Sequence, residues 1–280
     1  MAILEQVFFW FAVFCYIAAA IQHAYRFVFR RGNNGLWEHL FLNAGFAANI
    51  ATIIVRVIRS GHLPVTIKYE SNILIAAAII LVFLIWRRRN AAVAAVGMVC
   101  IPVAVLILCG GYVYSLEIQP LTPDFFSRWA ALHLVFSVLA AICLVFATGL
   151  SIFFLIKSRY PVGQEPPRLA SLPPLEEMSH LTYRLVLFGF ICWTVMLITG
   201  MFWAKDFWGN YWSWDPVETW SLVSWLIWRV YIHLCLTYGL KKKKLAWLCI
   251  IGFLVTVISI WGIDLISPES LHNIRQMRTL

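Results

Sequence analysis

The chain has 280 residues, of which 62% are hydrophobic and 12% are charged, and its formal net charge is +9. Such an apolar composition excludes a water-soluble globular domain and indicates a protein that crosses a membrane several times. The positive charge requires no nucleic-acid partner, because an excess of Lys and Arg in cytoplasmic loops is typical of membrane proteins.

Eight apolar runs that could each cross a membrane follow one another along the chain. They cover residues 7–26, 38–58, 72–86, 91–109, 130–156, 182–204, 219–239 and 245–263. Because roughly 20 apolar residues cross a bilayer as a helix, the pattern predicts an all-α fold with about eight transmembrane helices. The first run lacks a basic n-region and a cleavage site, so we expect a retained helix and not a removed signal peptide.

The basic residues are distributed unequally between the two sides that these helices define. Fourteen occupy one set of loops, namely Arg26, Arg30, Arg31, Arg87, Arg88, Arg89, Lys157, Arg159, Arg168, Arg184, Lys241, Lys242, Lys243 and Lys244. Seven occupy the other, namely Arg56, Arg59, Lys68, Arg128, Lys205, Arg275 and Arg278. The positive-inside rule predicts that the first set is cytoplasmic. The N-terminus, the loop after residue 204 and the C-terminus are then expected on the outer (periplasmic or lumenal) face.

One long connection interrupts the series of predicted helices. Residues 157–181 contain five of the eleven prolines, which predicts an extended cytoplasmic linker and not a continuous helix. The linker separates a front part, about 1–156, from a back part, 182–280. No internal repeat is evident, and we expect residues 1–280 to form a single membrane domain.

Seven of the fourteen tryptophans fall within one stretch, WAKDFWGNYWSWDPVETWSLVSWLIW, between residues 203 and 228. Trp208, Trp212 and Trp214 stand beside turn-forming residues such as Gly209 and Asp215. Stiff, flat indoles on an irregular loop predict an aromatic shelf that holds a planar apolar ligand. The alternative is an interfacial belt of tryptophans, which membrane proteins carry on both faces. A belt explains two or three of these residues better than it explains the whole string.

The end of this loop has the signature of a helix start. Asp215, Pro216 and Glu218 occupy the N-cap, N1 and N3 positions, so Asp215 and Glu218 resemble a capping box. Helix capping and ligand contact are both open interpretations of Asp215. Trp228, farther along the predicted helix, is expected in the core or facing lipid.

Two histidines lie at the outer face in the predicted topology. His133 is about one turn into the helix that starts near residue 130, and His272 follows the last predicted helix. Both can flank the outward loop that carries the tryptophans, and neutral imidazole is a common axial ligand of haem iron. His133 and His272 are therefore candidate metal ligands. The histidines expected at solvated or interfacial positions are His23, His39, His62 and His180.

His233 lies deep within a predicted transmembrane helix, about 21 Å from its outer end at 1.5 Å per residue. Arg229 precedes it by one turn on the same helical face. Ionisable groups at membrane depth are costly and usually functional, and they face the protein interior or a cavity. We therefore predict a second ligand site or a stage on a route through the membrane. The alternative is a hydrogen-bonded core histidine beside a snorkelling arginine.

The seven cysteines form no CxxC pair and no CxxCH motif. The chain therefore lacks the usual motif for covalent haem attachment to itself, and it shows no thioredoxin-like or zinc-binding motif. The thiols are expected to be buried and to act as small apolar side chains.

The run WGNYWSWDPVETWSLVSW resembles the WWD motif of a family of haem-handling membrane proteins. Upstream, LPPLEEMSHLTYRLVLFGF, and downstream, YIHLCL and WGIDLISPESLHN, look like the CcsA/ResC branch of System II cytochrome c biogenesis. The resemblance covers about residues 130–280 as an ordered set of motifs. The front 110 residues resemble the family only in being helical and apolar.

The resemblance implies a membrane subunit of a cytochrome c synthase that relays haem b across the membrane and presents it at the outer face. There the haem vinyl groups are joined to the two thiols of CxxCH in an apocytochrome c. His133 and His272 correspond to the external pair that holds the iron, and His233 corresponds to the intramembrane histidine. The residues that match the WWD core are Trp208, Gly209, Trp212, Trp214 and Asp215. Arg229 is expected to pair with a haem propionate, and no catalytic residue is assigned.

The branch works with a separate ResB-type membrane partner that contributes the opposing intramembrane histidine. We expect this chain to be one half of such a haem ligase complex. The expected location is the bacterial cytoplasmic membrane, with a thylakoid membrane as the alternative. Two positions depart from the branch pattern: Val217 stands where a basic residue is frequent, and the last histidine stands in SLHNI.

Other functions stay open at this point. A CcmC-like protein would pass haem to a chaperone without forming a bond to apocytochrome, but about eight helices and the CcsA-like flanks favour the synthase. A b-type dihaem electron-transfer subunit would need paired histidines buried on neighbouring helices, whereas two of the three candidates are predicted outside. A transport protein without haem leaves the WWD string unexplained.

Overall fold

The computed structural model describes residues 1–29, 35–88, 91–113, 116–118, 127–238 and 242–263, and these residues form helices and no strand. The helices are α1 (Ala2–Phe29), α2 (Leu36–Ser60), α3 (Lys68–Arg87), α4 (Ala91–Tyr112), α5 (Arg128–Lys157), α6 (Pro167–Ala170), α7 (Leu175–Trp208), α8 (Pro216–Tyr238) and α9 (Lys242–Val257). A π-helical segment, Ile258–Gly262, continues α9. The predicted all-α fold is confirmed.

Every predicted apolar run coincides with one long helix. Seven described segments are long and apolar enough to cross a membrane, namely Ala2–Phe29, Leu36–Ser60, Lys68–Arg87, Val93–Tyr112, Arg128–Lys157, Leu175–Trp208 and Lys242–Ile260. The helix α8 is not among them, because Arg229, His233 and its tryptophans make it more polar than the others. The chain is thus a polytopic membrane protein, and the side that each terminus faces stays a prediction.

The linker predicted over residues 157–181 is shorter in the structure. The helix α7 already begins at Leu175, directly after the last two prolines of the linker. Prolines are compatible with the first positions of a helix. Glu176 and Glu177 lie in the first turn of α7, where negative charge is favoured by the helix dipole. The helix therefore starts as soon as the prolines end.

A buried lysine ties the remaining linker to α5. The Lys157 ammonium donates hydrogen bonds to the main-chain carbonyl oxygens of Leu172, at 2.8 Å, and Pro173, at 3.0 Å. A buried ammonium without acceptors would be costly, so these bonds stabilise the approach of the linker to the end of α5. The extended conformation expected from the prolines is interrupted by this contact and by α6.

The chain divides into two compact units. Unit 1 comprises Met1–Leu121 and Phe153–Met178, and unit 2 comprises Thr122–Ile152 and Ser179–Leu280. The helices α5 and α7 therefore contribute residues to both units. All the candidate site residues predicted from the sequence belong to unit 2. The single membrane domain stays a prediction.

Unit 1 contains a buried ion cluster to which α1, α2 and α3 contribute. Arg56 is fully buried, its Nε donates to Glu70 Oε1 at 2.8 Å, and its Nη1 lies 3.5 Å from Glu5 Oε1. The same guanidinium donates to the main-chain carbonyl oxygens of Leu116, at 2.9 Å, and Glu117, at 3.3 Å. One arginine thus links three helices and a segment that follows α4.

Replacing Arg56 with alanine is expected to lower the free energy of unfolding by about 3–5 kcal/mol, because the buried Glu70 loses its cation and Glu5 keeps only Arg59. Unfolding of the purified chain in detergent, by heat or denaturant, measures this loss. The control is Arg59→Ala, since Arg59 also contacts Glu5 but is partly exposed and should lose less than about 1 kcal/mol. Equal losses in the free energy of unfolding from the two variants would contradict the expectation that the buried Arg56 stabilises the cluster more than the partly exposed Arg59.

A second cluster in unit 1 corrects the expectation for His23. This residue is buried, and its Nδ1 lies 3.1 Å from Glu38 Oε1. Arg87 Nη1 lies 3.1 Å from the same oxygen, and Arg26 contacts the other oxygen of Glu38. The expected solvated position is wrong, because a glutamate on the next helix provides a buried partner that the residues around His23 do not reveal. The alternative of an interfacial position stays a prediction.

Unit 2 has an apolar core to which α5, α7, α8 and α9 contribute. Trp228 is fully buried, and its Nε1 donates to Thr256 Oγ1 at 3.0 Å. Of the two positions expected for Trp228, in the core or facing lipid, the structure shows the core. The core residues are Ala140, Leu144, Ala147, Val186, Cys192, Trp193, Met196, Trp228, Tyr231, Ile232, Leu245 and Cys249. This core determines which face of α8 is buried.

Candidate functional site

The tryptophan loop, residues 209–215, connects α7 to α8 in unit 2. Gly209 follows α7 with a φ of 79°, in the left-handed region that glycine adopts without strain. Its N–H donates to the Lys205 carbonyl oxygen at 3.0 Å, and the Lys205 ammonium donates to the Gly209 carbonyl oxygen at 2.5 Å. Gly209, predicted as part of the WWD core, thus forms the turn that starts the loop.

The helix α8 begins with the predicted capping box. The Val217 N–H donates to Asp215 Oδ1 at 2.9 Å, and the Asp215 N–H donates to Glu218 Oε2 at 3.3 Å. Asp215 is buried. The capping interpretation of Asp215 is therefore confirmed, and its contact with a ligand stays a prediction.

Trp212 and Trp214 form a corner of two indoles. Their ring centroids are 5.9 Å apart and their planes meet at 86°, so the flat shelf expected from the sequence is not present between these rings. Trp214 is 70% exposed, whereas Trp212 is partly buried and its Nε1 has no hydrogen-bond partner among the described residues. The corner presents the exposed indole of Trp214 at the surface of the loop.

The backbone of Trp214 has a φ of 58°, and no other non-glycine residue in the described part of the chain has a positive φ. A bulky residue in this region costs about 1–3 kcal/mol. Glu218 Oε2 accepts hydrogen bonds from the Ser213 N–H, at 2.8 Å, and from Ser213 Oγ, at 3.1 Å. The Thr219 hydroxyl donates to the Trp214 carbonyl oxygen at 3.3 Å. These bonds hold the strained conformation, which is the kind of strain that clusters at functional sites.

His133 lies near the start of α5 and is partly buried. Its Nδ1 lies 2.9 Å from the main-chain carbonyl oxygen of Met196 on α7. Because a carbonyl oxygen can only accept, Nδ1 is the donor, and a neutral imidazole then carries its lone pair on Nε2. Nε2 is therefore the nitrogen of His133 that can ligate a metal.

A series of ring contacts leads from His133 to the tryptophan loop. The imidazole lies 5.7 Å from the Trp203 ring, Trp203 lies 6.5 Å from Phe207, and Phe207 meets Trp208 edge-on at 5.4 Å. The structure thus connects two predicted site residues, His133 and Trp208, through side chains at the end of α7. His272, the predicted second outer ligand, lies outside the described residues.

Three aromatic residues that were not predicted as part of the site lie in or next to the loop. Trp129 stacks on Phe202 with centroids 4.5 Å apart and planes at 19°, and Tyr211 meets Phe202 edge-on at 5.7 Å. The Lys205 ammonium lies 5.6 Å from the centre of the Tyr211 ring. Only Tyr211 had a signal in the sequence, as the neighbour of Trp212. The other two lie near the ends of apolar runs, where aromatic residues are common.

Arg229 and His233 lie on the exposed face of α8. Leu226 and Leu236 share that face and are 49% and 68% exposed. His233 Nδ1 lies 3.3 Å from Thr237 Oγ1. The second ligand site or membrane stage predicted at Arg229 and His233 stays a prediction, but His233 is not a core histidine and neither side chain faces the interior of this chain. The reason is that the apolar core of unit 2 takes the opposite face of α8.

Known members of one protein family are similar to this chain in sequence. Residues 65–271 match the family model described as Cytochrome C assembly protein. The Cytochrome c biogenesis protein CcsA of Chlamydomonas reinhardtii is 31% identical, over 80% of this chain and 64% of the relative. The protein of the same description from Trieres chinensis is 30% identical, over 82% of this chain and 84% of the relative. The protein of the same description from Synechococcus sp. (strain CC9605) is 28% identical, over 91% of this chain and 92% of the relative.

A solved structure shares the fold. The chain described as Cytochrome c Heme Lyase CcmF aligns with a TM-score of 0.65 at 17% identity, over 93% of this chain and 46% of that chain. This chain therefore spans about half of that protein and less than two thirds of the Chlamydomonas relative. The family match also begins well before residue 130, where the resemblance seen in the sequence began. The chain belongs to the family of cytochrome c assembly proteins, in agreement with its CcsA-like motifs.

Proposed function

We propose that this chain is the haem-presenting membrane subunit of a cytochrome c synthase in a bacterial cytoplasmic membrane. It binds haem b as a substrate at the tryptophan loop and holds it for attachment to CxxCH of an apocytochrome c. The observation that carries this proposal is the exposed indole of Trp214, held in a strained backbone conformation beside Trp212. A packing or belt role requires no such strain. Membership of the cytochrome c assembly family supports the same conclusion.

Thioether formation depends on positioning. Each thiol adds across one vinyl group, so that sulfur bonds to one carbon and the thiol hydrogen ends on the other, with no oxidant or reductant consumed. Holding both reactants in the correct geometry can supply much of the rate. In this proposal Trp212 and Trp214 contact the porphyrin plane, while His133 Nε2 ligates the iron and His272 provides the second axial ligand.

The exposed face of α8 is proposed as an earlier stage of the same haem route. His233 would ligate the iron, and Arg229 would pair with a propionate in a charge-assisted hydrogen bond. An ionisable pair on a helix that spans the membrane, as the sequence predicts for α8, is costly against lipid, and in this chain both side chains are exposed. We therefore propose that a ResB-type partner covers this face and supplies the opposing histidine.

Replacing His233 with alanine is expected to lower the haem content of the purified two-protein complex by roughly tenfold or more, because the intramembrane ligand is lost. Arg229→Ala should lower it in the same direction but less. Absorbance of the haem band per complex measures both effects. The control is Leu236→Ala, which removes another exposed side chain from the same face of α8. Haem content equal to that of the control would contradict the intramembrane stage.

The test of the proposed function is reconstitution of haem attachment in cells. The chain, its ResB-type partner and an apocytochrome c reporter are produced together, with a reporter lacking both CxxCH cysteines as the control. Haem that stays on the reporter after denaturation measures the covalent bond. We expect this signal only when the chain, the partner and the cysteines are all present. Attachment without the chain would overturn the proposal.

A further inference from the structure

Besides Trp203, the helix α7 places a main-chain carbonyl group and a glycine against the His133 imidazole. The carbonyl oxygen of Met196 lies 2.9 Å from Nδ1. A Cβ atom on Gly200 would lie 2.9 Å from the same Nδ1 and 3.2 Å from Cε1 of the ring. The absence of a side chain at position 200 therefore allows the imidazole to reach the carbonyl oxygen.

A methyl group at position 200 would displace a stiff ring. Carbon and nitrogen atoms that are not bonded do not approach to 2.9 Å without strong repulsion, since optimal contacts lie near 3.5–4.0 Å. The imidazole is a rigid planar ring that can yield only by rotation about its staggered χ1 torsion and its broader χ2 torsion. A rotation that moves Nδ1 away from Gly200 also changes its distance and angle to the carbonyl oxygen of Met196, the acceptor of its hydrogen bond.

We infer that Gly200 and the Met196 carbonyl group are positioning elements that fix the Nδ1–H tautomer of His133 and aim its Nε2 at the haem iron. This inference rests on the proposed function, in which His133 is an axial ligand. A hydrogen bond from the second nitrogen of a ligating histidine fixes the orientation of the ring and raises the basicity of the ligating nitrogen. Gly200 would therefore control how strongly His133 binds iron, without itself contacting haem.

The experiment compares Gly200→Ala with Gly189→Ala in the purified full-length chain. Gly189 lies on the same helix, and a Cβ there would lie 3.1 Å from Cys143 Cβ and 3.3 Å from Leu144 Cδ2 on α5. Both variants add one methyl group to a tight contact between α7 and α5, but only the methyl group at position 200 faces an imidazole. Each variant is titrated with ferric haem b, and the reduction potential of the bound haem is measured.

We expect Gly200→Ala to weaken haem binding roughly tenfold or more and to raise the reduction potential, because a less basic ligand stabilises ferric iron less. Gly189→Ala should change thermal stability without changing either haem property. The inference would be overturned if Gly200→Ala had the same haem affinity and the same reduction potential as Gly189→Ala. Haem binding that is also insensitive to His133→Ala would contradict the proposed function itself.

A second measurement needs no folded Gly200 variant. In the wild-type chain labelled with ¹⁵N at histidine, the His133 signals are identified by their loss in His133→Ala. We expect the neutral ring to carry its proton on Nδ1 before haem is added, because the carbonyl oxygen of Met196 accepts from that atom. A proton on Nε2 would overturn the inference, even if His133 remained necessary for haem attachment.

Discussion

Replacing His133 with alanine is expected to reduce covalent haem attachment to an apocytochrome c more severely than loss of the hydrogen-bond partner of a metal ligand would. Loss of such a partner typically costs roughly 10- to 100-fold in metal affinity or activity, and here the ligand itself is removed. The oriented imidazole beside the rings at the end of α7 is the reason for this expectation. Haem-stained reporter per cell measures the effect, and added imidazole should restore part of it by occupying the vacant iron position.

The matched control for this variant is His62→Ala. His62 lies in the short connection between α2 and α3, on the same predicted outer face, and its Nδ1 lies 2.7 Å from the Leu63 carbonyl oxygen. The chemical change is identical, but His62 belongs to unit 1 and has no proposed role. Normal attachment by both variants would show that His133 is not part of the presentation site.

Replacing Trp214 with glycine or with alanine is expected to separate the function of the indole from the strain of its backbone. Both variants should lose most haem retention, because both lack the exposed ring. The glycine variant should nevertheless be more stable than the alanine variant by about 1 kcal/mol, since only glycine adopts a φ of 58° without strain. Haem retention is measured on the purified complex, and stability by unfolding of the chain in detergent.

Trp220 provides the comparison for both readouts. It lies within α8 and is 37% exposed. In a helix interior alanine is more favourable than glycine by about 1 kcal/mol, so the order of stability should be reversed at this position. Haem retention should stay near normal in both Trp220 variants. If the alanine variant were more stable than the glycine variant at Trp214, as is expected at Trp220, the strained conformation of Trp214 would be contradicted.

Features that depend on neighbouring residues were predictable from the sequence. The eight long helices follow from the length of the apolar runs, and the start of α8 follows from the spacing of Asp215, Pro216 and Glu218. Each of these signals is local, because helix length and capping involve residues within a few positions of one another. For Trp228 the sequence indicated a position either in the core or facing lipid, and the structure shows that it is buried in the core.

Features that depend on contacts between distant residues were not predictable. The partner of His23 is Glu38 on the next helix, and the stacking of Trp129 on Phe202 joins residues of α5 and α7. The exposed position of His233 depends on which face of α8 the core covers. An ionisable residue within an apolar run indicates a site at membrane depth, but not whether it faces its own chain or another one.

A direct measurement of the central claim is an experimental structure of the chain with its ResB-type partner and bound haem b. We expect a porphyrin against the corner formed by Trp212 and Trp214, with its iron bonded to Nε2 of His133. A haem found only beside His233, with no haem at the tryptophan loop in a complex that is active in attachment, would contradict it.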